Sequence, residues 1–325
     1  MNIPLKLSDV KTVQQVSVKN FYDANHEQLQ LRLLNSPKGF SRPITVPSIN
    51  RPGLALSGFY EHFEHRRIQV FGAAEVAYIQ SLPEDMRRSR LEAVFRGDTP
   101  CIIFARGMAA PEDVFELADR YSVCVFMTDL VTIKFVNAAT IILEKAFAES
   151  TTAHGCMVDL RGLGVLIVGE SGVGKSEAAL GLVEHGVGSL VADDIVRLRH
   201  IGGDLVASAP EMSYGFIEVR GLGVINVVTL FGLKAFRKEK RVDLIIVLKP
   251  GIDLDMDRLG LEREPVSLMG VRIPYVKLPV APGRDTSRLL EVVALEHSMR
   301  TEGFEMAGEF NRQLQRRVAE GKRMS

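Results

Sequence analysis

The chain has 325 residues, of which 46% are hydrophobic and 25% are charged, so it is long enough for two domains with a substantial core. Lys plus Arg equals Asp plus Glu at 40 each, and this balance excludes the excess positive charge that draws proteins to nucleic acid or anionic membranes. No run approaches the roughly 18 uninterrupted apolar residues of a membrane-spanning helix, so we expect neither a nucleic-acid nor a membrane partner.

Three cysteines, Cys101, Cys124 and Cys156, are widely spaced, and each lies within or beside an apolar run. An odd number of cysteines without paired spacing argues against a disulfide framework and suits a reducing compartment. The first ten residues lack the charged-then-apolar layout of a signal peptide. The sequence therefore predicts a cytoplasmic protein.

The first half predicts an α/β domain over residues 1–130. Strand-like runs occur at 68–71, 101–104 and 123–127, and helical patterns lie between them at 73–81 and 111–121. Alternation of strands and helices predicts a largely parallel sheet that is covered on both faces. Residues 131–149 follow one long helical pattern, and we expect 131–150 to connect this domain to a second one.

The second half predicts an α/β domain over residues 151–325. In chain order we expect the following elements: a strand at 165–168, a helix at 175–186, a strand at 190–192, a buried strand at 242–248, and two helices after Ser287. The second of these C-terminal helices carries apolar residues at helical spacing from Phe304 to Val318. We interpret that stripe as packing onto its own domain, with docking of a partner or subunit as the alternative.

A glycine-rich segment joins the strand at 165–168 to the helix that follows it. It fits the pattern G-x-x-x-x-G-K-[ST] and consists of Gly169, Glu170, Ser171, Gly172, Val173, Gly174, Lys175 and Ser176. Its glycines allow backbone N–H groups to point at phosphate oxygens, and the helix start adds a partial positive charge. In such a loop the lysine binds the β- and γ-phosphates and the hydroxyl binds Mg²⁺. The sequence predicts a nucleotide-phosphate site here.

Carboxylates follow the next strand along the chain. Asp193 and Asp194 come directly after the strand at 190–192, where α/β sheets bind their ligands. One could accept a proton from an attacking hydroxyl and the other could help to hold Mg²⁺, although a solvated turn or a helix cap is the alternative. Glu218 and Arg220 are two apart on a predicted strand and share a face. Taken alone, they fit a ligand contact or an exposed salt bridge equally well.

Three isolated side chains remain open by spacing alone. His154 lies 15 residues before Gly169, and a lone histidine is more often packed or exposed than catalytic. Arg258 and Arg284 could bind phosphate through two parallel hydrogen bonds or could simply be surface charges.

These stretches together resemble the HPr kinase/phosphorylase family, whose enzymes act on a serine of the phosphocarrier protein HPr. The similar stretches are 153–155 with 169–176, 191–194, 217–223 and 257–261, with 279–284 as a weaker match. Residues 51–56 resemble the family's N-terminal domain, so the resemblance covers nearly the whole chain. The run Glu218-x-Arg220-Gly221-Leu222-Gly223 is the most specific, because ordinary P-loop proteins lack it.

The resemblance implies a P-loop kinase domain, similar to the phosphoenolpyruvate carboxykinase core, after an N-terminal α/β domain. It implies catalytic roles for His154, Lys175, Asp193 and Arg258, and Mg²⁺ binding by Ser176 and Glu218. The segment 217–226 matches the one needed for both activities, and 278–283, which includes Pro282 and Gly283, roughly matches one linked to dephosphorylation. Asp285 follows Arg284, where the family commonly has Asn.

The resemblance also implies the substrates and the assembly. ATP would be the phosphoryl donor, and inorganic phosphate would reverse the reaction to give pyrophosphate. The expected partner is HPr or an HPr-like carrier, and the expected assembly is a hexamer whose C-terminal helices lie near the partner-binding surface. The hypothesis is that Asp193 takes the proton of the attacking serine and returns it in the reverse direction.

Two other functions fit parts of the sequence. A P-loop kinase for a small metabolite needs only the loop and the carboxylates, but it leaves 218–223 and the first half unexplained. A non-catalytic nucleotide-sensing scaffold predicts ATP binding without turnover.

Overall fold

The computed structural model describes residues 4–251, 265–281 and 283–303, and the chain divides into two compact units. One unit is 12–148, and the other combines the N-terminal segment up to residue 11 with the chain from 149 onward. The long helix within the predicted connector, 131–150, packs inside the first of these units through buried Phe135, Ala139 and Leu143.

The 12–148 unit alternates strands and helices along most of its length. Its strands are β1 (Val16–Ser17), β2 (Leu31–Leu33), β3 (Pro43–Ile44), β4 (Ile49–Asn50), β5 (Ile68–Phe71), β6 (Cys101–Phe104) and β7 (Cys124–Thr128). Its helices are α1 (Val18–Leu29), α2 (Gly53–Ser57), α3 (Ala73–Ser81), α4 (Glu84–Phe95), α5 (Glu112–Tyr121) and α6 (Thr132–Phe147).

The sheet of this unit confirms the predicted largely parallel architecture. Its strand order is β2-β7-β6-β5-β4; β4 to β7 are parallel, and β2 is antiparallel at one edge. Successive side chains of a strand point to opposite faces, so Val70 packs with α1 and α6 whereas Phe71 packs with α2 to α5. Both faces of the sheet are therefore buried, which explains the unbroken apolar run of β6. The one polar side chain of β5, Gln69, is buried and donates to the carbonyls of Glu64 and Arg67.

The unit that contains residues 149 onward is built from more strands. They are β8 (Ser150–His154), β9 (Cys156–Leu160), β10 (Leu163–Gly169), β11 (Gly188–Ala192), β12 (Ile195–Ile201), β13 (Asp204–Ser208), β14 (Phe216–Val219), β15 (Gly223–Asn226), β16 (Glu239–Arg241), β17 (Leu244–Pro250), β18 (Pro265–Leu268) and β19 (Val271–Val280). Its helices are α7 (Lys175–Glu184), α8 (Val227–Phe231) and α9 (Thr286–Thr301).

Two sheets and a helical layer pack together in this unit. The central sheet has the order β11-β9-β10-β17-β19-β18, and a second, antiparallel sheet has the order β16-β13-β12-β8. Val165 and Ile167 face α7 and α9, whereas Leu166 and Val168 face the antiparallel sheet. Because β10 is buried on both faces, it holds the loop that follows it on a rigid base.

Within the described residues, no helix is both long enough and apolar enough to cross a membrane. The helix predicted at 304–318 lies outside the described residues. The three cysteines are buried free thiols.

Candidate active site

The strand directions of the central sheet bring separate segments of the sequence to one edge. β9 lies between β10 and β11 and is antiparallel to both, so the carboxyl ends of β10 and β11 lie at the same edge. The glycine-rich loop leaves β10 there after Gly169, and Asp193 leaves β11 there after Ala192. β9 begins at this edge with Cys156. Gly169 and Asp193, which are 24 positions apart in the sequence, therefore lie at one edge, as expected for an open α/β sheet.

The loop between β10 and α7 is folded as a phosphate-binding loop requires. Gly172 and Gly174 have φ of +88° and +97°, values that only glycine adopts without strain. Within the described residues no side chain caps the start of α7, so its N–H groups and partial positive charge remain open to an anion. The Lys175 ammonium donates to the backbone carbonyls of Gly169 and Glu170 at 3.1 and 3.0 Å. Lys175 is thus held at the rim of the loop.

The Asp193 carboxylate is fixed directly against this loop. It accepts a hydrogen bond from the Ser176 hydroxyl, with distances of 2.9 and 3.1 Å to its two oxygens. The backbone N–H of Glu218 donates to Oδ2 at 3.1 Å. The Ser176 hydroxyl in α7 and the Glu218 N–H in β14 therefore set the orientation of the Asp193 carboxylate.

A thiol that the sequence did not single out lies beneath Asp193. Cys156 is completely buried at the start of β9, and burial, together with the neighbouring Asp193 carboxylate, raises the pKa of the Cys156 thiol well above its usual range. The thiol thus stays protonated and can donate to the carboxylate. Its position follows from the pairing of β9 with β11, a long-range contact that leaves no local signal in the sequence.

The hairpin of β14 and β15 forms the other wall. Glu218 and Arg220 are both exposed on it, and Gly221 and Gly223, each with φ of +80°, form its turn. The Arg220 guanidinium reaches across to the glycine-rich loop. Its Nη2 lies only 2.6 Å from the point that a Cβ on Gly172 would occupy.

Loop, carboxylates and hairpin enclose a cavity of about 250 Å³. Its lining includes two cations and four carboxylates. The lining residues are Ser171, Gly172, Gly174, Lys175, Ser176, Glu177, Asp193, Asp194, Glu218 and Arg220. A larger cavity of about 660 Å³ lies at the opposite edge of the sheet, near Arg161 and Gly162. The smaller cavity is the candidate active site, because it alone among the described cavities combines the glycine-rich loop with a carboxylate and a bound hydroxyl.

The remaining predicted residues have different positions. His154 ends β8 with an exposed side chain, and its Nδ1 is 3.6 Å from Oδ1 of Asp194. Gly283 and Arg284 lie in the turn between β19 and α9, and within the described part of the chain neither lines the cavity. Arg258 and Pro282 lie outside the described residues.

The oxygen-rich lining fits Mg²⁺. Among the described residues no three His, Cys, Asp or Glu side chains form a metal cluster on their own. Mg²⁺ at nucleotide sites, however, usually binds one or two protein oxygens together with phosphates and water. The Ser176 hydroxyl and the Glu218 carboxylate both line the cavity, and they suit that mode of binding.

Family models and curated relatives agree on one family for this chain. The model of the HPr Serine kinase N terminus matches residues 16–143, and that of the HPr Serine kinase C-terminal domain matches residues 145–314. The HPr kinase/phosphorylase of Geobacillus kaustophilus is 39% identical over 91% of this chain and 95% of its own length. That of Bacillus subtilis is 37% identical over 91% of this chain and 96% of its own.

A solved structure, that of the Hpr(Ser) kinase/phosphatase from Coxiella burnetii, aligns with 49% of this chain and 97% of its own, with 32% identity and a TM-score of 0.43. Both family models and the near full-length relatives agree. The chain belongs to the HPr kinase/phosphorylase family.

Proposed function

We infer that this chain transfers the γ-phosphoryl group of ATP to a serine of HPr or an HPr-like carrier, and that it also removes this group by phosphorolysis. In the second reaction inorganic phosphate is the acceptor and pyrophosphate is the product. Family membership across both units supports the two activities. The observation that carries the residue roles is the Asp193 carboxylate, bound to the Ser176 hydroxyl at the mouth of the phosphate loop.

In the kinase direction Asp193 is the general base. It accepts the proton of the serine hydroxyl as the oxygen attacks the γ-phosphorus and the bond to the β-phosphate oxygen breaks. Lys175 and the loop N–H groups stabilise the charge on the transferring group and on the leaving ADP. The bonds that Asp193 accepts from Ser176 and Glu218 hold it in place for this role.

In the phosphorylase direction inorganic phosphate occupies the loop. Its oxygen attacks the phosphorus of phosphoserine, the bond to the serine oxygen breaks, and protonated Asp193 returns its proton to that oxygen. One carboxylate therefore serves both reactions. Mg²⁺ held by Ser176 and Glu218 would neutralise phosphate charge in either direction.

His154, Asp194 and Arg258 complete the proposed machinery. The His154 imidazole faces Asp194, which lines the cavity beside the base. We assign His154 to orienting phosphate or to tuning the carboxylate pair. Similarity to the family supports a catalytic role for Arg258.

The surface around the cavity suits a protein acceptor better than a small metabolite. On the hairpin, Val224 pairs with Glu218 across the two strands and therefore shares its face. The exposed fractions are 68% for Val224, 71% for Leu222 and 40% for Phe216. A small metabolite would leave these apolar side chains in water, whereas a protein that presents a serine to Asp193 would cover them.

We also propose a cytoplasmic hexamer. Buried free thiols and the need for ATP fit the cytoplasm. On α9, Val292, Leu295 and Met299 are exposed at helical spacing, and such a face suits contact with another subunit. Light scattering coupled to size-exclusion chromatography tests the assembly, and a stable monomer at micromolar concentration would contradict it.

The test of the function is a protein phosphorylation assay. The purified chain is incubated with Mg²⁺, ATP and a bacterial HPr, and acid-stable phosphate on the carrier is measured. Pyrophosphate release is then measured from phosphorylated carrier and inorganic phosphate. We expect both activities in the wild type and a loss of at least about 1000-fold in Asp193→Asn, with ATP binding retained. Binding of ATP without turnover would favour a nucleotide-sensing scaffold, and phosphorylation of small metabolites alone would favour a metabolite kinase.

A further inference from the structure

Arg220 differs from Lys175 and Asp193 of the candidate active site in having no hydrogen-bonding partner among the described residues. Within the described residues it forms neither a salt bridge nor a hydrogen bond, whereas Lys175 donates to loop carbonyls and Asp193 accepts from two donors. A guanidinium presents five N–H donors in a fixed plane and remains charged at any physiological pH. A guanidinium without a partner at the wall of an anion site can bind an anion without first breaking a hydrogen bond in the protein.

The Arg220 guanidinium lies close to the loop. Its Nη2 and Nη1 lie 2.6 and 3.1 Å from the point that a Cβ on Gly172 would occupy. Any side chain at position 172 would therefore collide with the guanidinium, which lies directly over the loop. Gly172 has two roles here: it adopts a φ of +88°, and it leaves room for the arginine.

The two cations of the cavity come from different elements. Lys175 begins α7 and contacts the loop carbonyls of residues 169 and 170, whereas Arg220 follows β14 and lies over residue 172. A phosphoryl group held by the N–H groups of the loop would thus meet one cation from the loop's own helix and a second from the hairpin.

We propose that Arg220 is a catalytic residue that binds the transferring phosphoryl group and stabilises its transition state, as an arginine supplied within the same chain. This rests on the phosphotransfer proposed above. In the kinase reaction the bond from the serine oxygen to phosphorus forms as the bond to the ADP oxygen breaks, and the proton goes to Asp193. The equatorial oxygens carry the negative charge of that state, and two parallel N–H groups of Arg220 neutralise it.

The phosphorylase reaction needs this cation more. There, inorganic phosphate attacks phosphoserine, so two anions must approach each other. In the kinase reaction the nucleophile is a neutral hydroxyl. Loss of Arg220 should therefore slow phosphorolysis more than phosphorylation, because like charges at short range raise the barrier.

The variants are Arg220→Gln, Arg220→Lys and the control Arg272→Gln. Arg272 is an exposed arginine at the start of β19. Because β10, β17 and β19 are parallel, this residue lies at the edge of the sheet opposite the loop. We expect Arg220→Gln to lower kcat by about 100-fold for the kinase and about 1000-fold for the phosphorylase, as for loss of a transition-state donor. Arg220→Lys should restore part of the rate, because it keeps the charge but loses the planar fork. The control should match the wild type.

A binding measurement separates catalysis from a structural role. ADP with aluminium fluoride mimics the planar phosphoryl group of the transition state. By calorimetry, Arg220→Gln should bind this mimic about 100-fold more weakly, and ADP alone with unchanged affinity. Equal losses for both ligands, or a lowered melting temperature, would identify a structural residue and overturn the proposal.

The outcomes also distinguish this proposal from the function on which it rests. If the wild-type chain phosphorylates the carrier and Arg220→Gln does so at the same rate, only the role of Arg220 fails. If the wild type itself transfers no phosphate to any carrier, the proposed function fails first. A kinase loss that exceeds the phosphorylase loss would refute the charge argument.

Discussion

Each compact unit has a junction at which a parallel strand is followed by a helix: β5 with α3, and β10 with α7. The two helix starts share a local sequence pattern, but only the start of α7 is left open to an anion. α3 begins directly after Gly72, in the run Gly72-Ala-Ala-Glu75, and α7 begins directly after Gly174, in the run Gly174-Lys-Ser-Glu177. In both, the glycine carbonyl accepts the first bond of the helix, from Val76 and Ala178 respectively, at 3.0 Å.

The glycine conformations differ. Gly72 is extended, with φ of −97°, and its N–H donates to the Glu75 carboxylate at 3.0 Å. Glu75 is buried, with only 6% of it exposed, and Arg51 pairs with it at 2.9 Å. Gly174 is left-handed instead, and Glu177 is exposed on the lining of the cavity.

The comparison shows how one helix start becomes structural and another becomes a binding site. A buried carboxylate supplied by the chain satisfies the N-terminus of α3, so no external anion is needed there. At α7 the five-residue loop turns the glycine away from its glutamate, and the anion must come from a substrate. Variants at the two junctions should therefore have opposite effects on activity and on stability.

The largest effect on activity is expected at the start of α7, the junction that is left open to an anion. Lys175→Ala removes a cation of the phosphate loop, and we expect phosphate transfer to the carrier to fall by about 1000-fold. Stability should not change, because the ammonium contacts only carbonyls at the rim of the loop. Initial rates and thermal melts measure both quantities, with the exposed Lys238→Ala as the control. A rate within about tenfold of the wild type would contradict an open phosphate site.

A second effect concerns the space above the open loop. Gly172→Ala strains a left-handed residue by about 1–2 kcal/mol and displaces Arg220. We expect the phosphotransfer rate to fall by about 30-fold, which is of the size expected when one charged contact is lost. Because the arginine is already displaced, adding Arg220→Gln to this variant should cost much less than it does in the wild type. Fully additive effects in the double-variant cycle would contradict the contact.

At the start of α3, where Glu75 already satisfies the helix N-terminus, a substitution should change stability and leave activity unchanged. Glu75→Gln replaces a buried acceptor of two donors, Gly72 N–H and Arg51, and we expect a loss of about 1–3 kcal/mol in the 12–148 unit. Hydrogen exchange of the α3 amides reports this loss. The exposed Glu84→Gln serves as the control. A fall in kcat at unchanged exchange rates would show that Glu75 acts in catalysis instead.

The smallest effect is a pH dependence at a third helix start. At the start of α5, the Asp113 carboxylate accepts from Arg87 at 2.7 Å, and this bond, opposed in part by burial, holds the pKa of Asp113 below its usual range. The stabilisation is present above the usual aspartate pKa of about 3.9 and is lost as pH falls through the lowered value. Asp113→Asn should therefore lower the melting temperature slightly at pH 6, and this difference should shrink as pH falls through the lowered pKa of Asp113. A difference that persists in acid would refute the assignment.

Local pattern was sufficient for elements with strong periodicity. The strands at 68–71 and 101–104 and the helix at 73–81 are confirmed with these bounds, because largely apolar runs and glycine or proline boundaries are local signals. α4 (Glu84–Phe95) was missed since its sequence is dominated by charge and buries only Leu91, Val94 and Phe95. The paired strands β12 and β13 were missed as well, because their stability comes from cross-strand contacts with distant residues.

The sequence predicted which residues belong to the candidate site better than it predicted how they are arranged in space. Lys175, Ser176 and Asp193 were expected from motif and spacing, and the structure brings them together. Cys156 and Glu177 were not expected, because a thiol in an apolar run and a glutamate on a helix carry no distinctive pattern. The contact of Arg220 with Gly172 joins residues 48 positions apart and depends on how the hairpin folds back over the loop.

The sequence by itself determined the phosphate-binding loop, the class of chemistry and the family, because a short motif fixes backbone conformation and charge within a few residues. Only the tertiary structure decided which carboxylate faces the loop, which arginine covers it, and which of two similar Gly-x-x-Glu helix starts is left open. Those outcomes depend on strand order and on the φ of a single glycine, and both are set by packing over the whole unit.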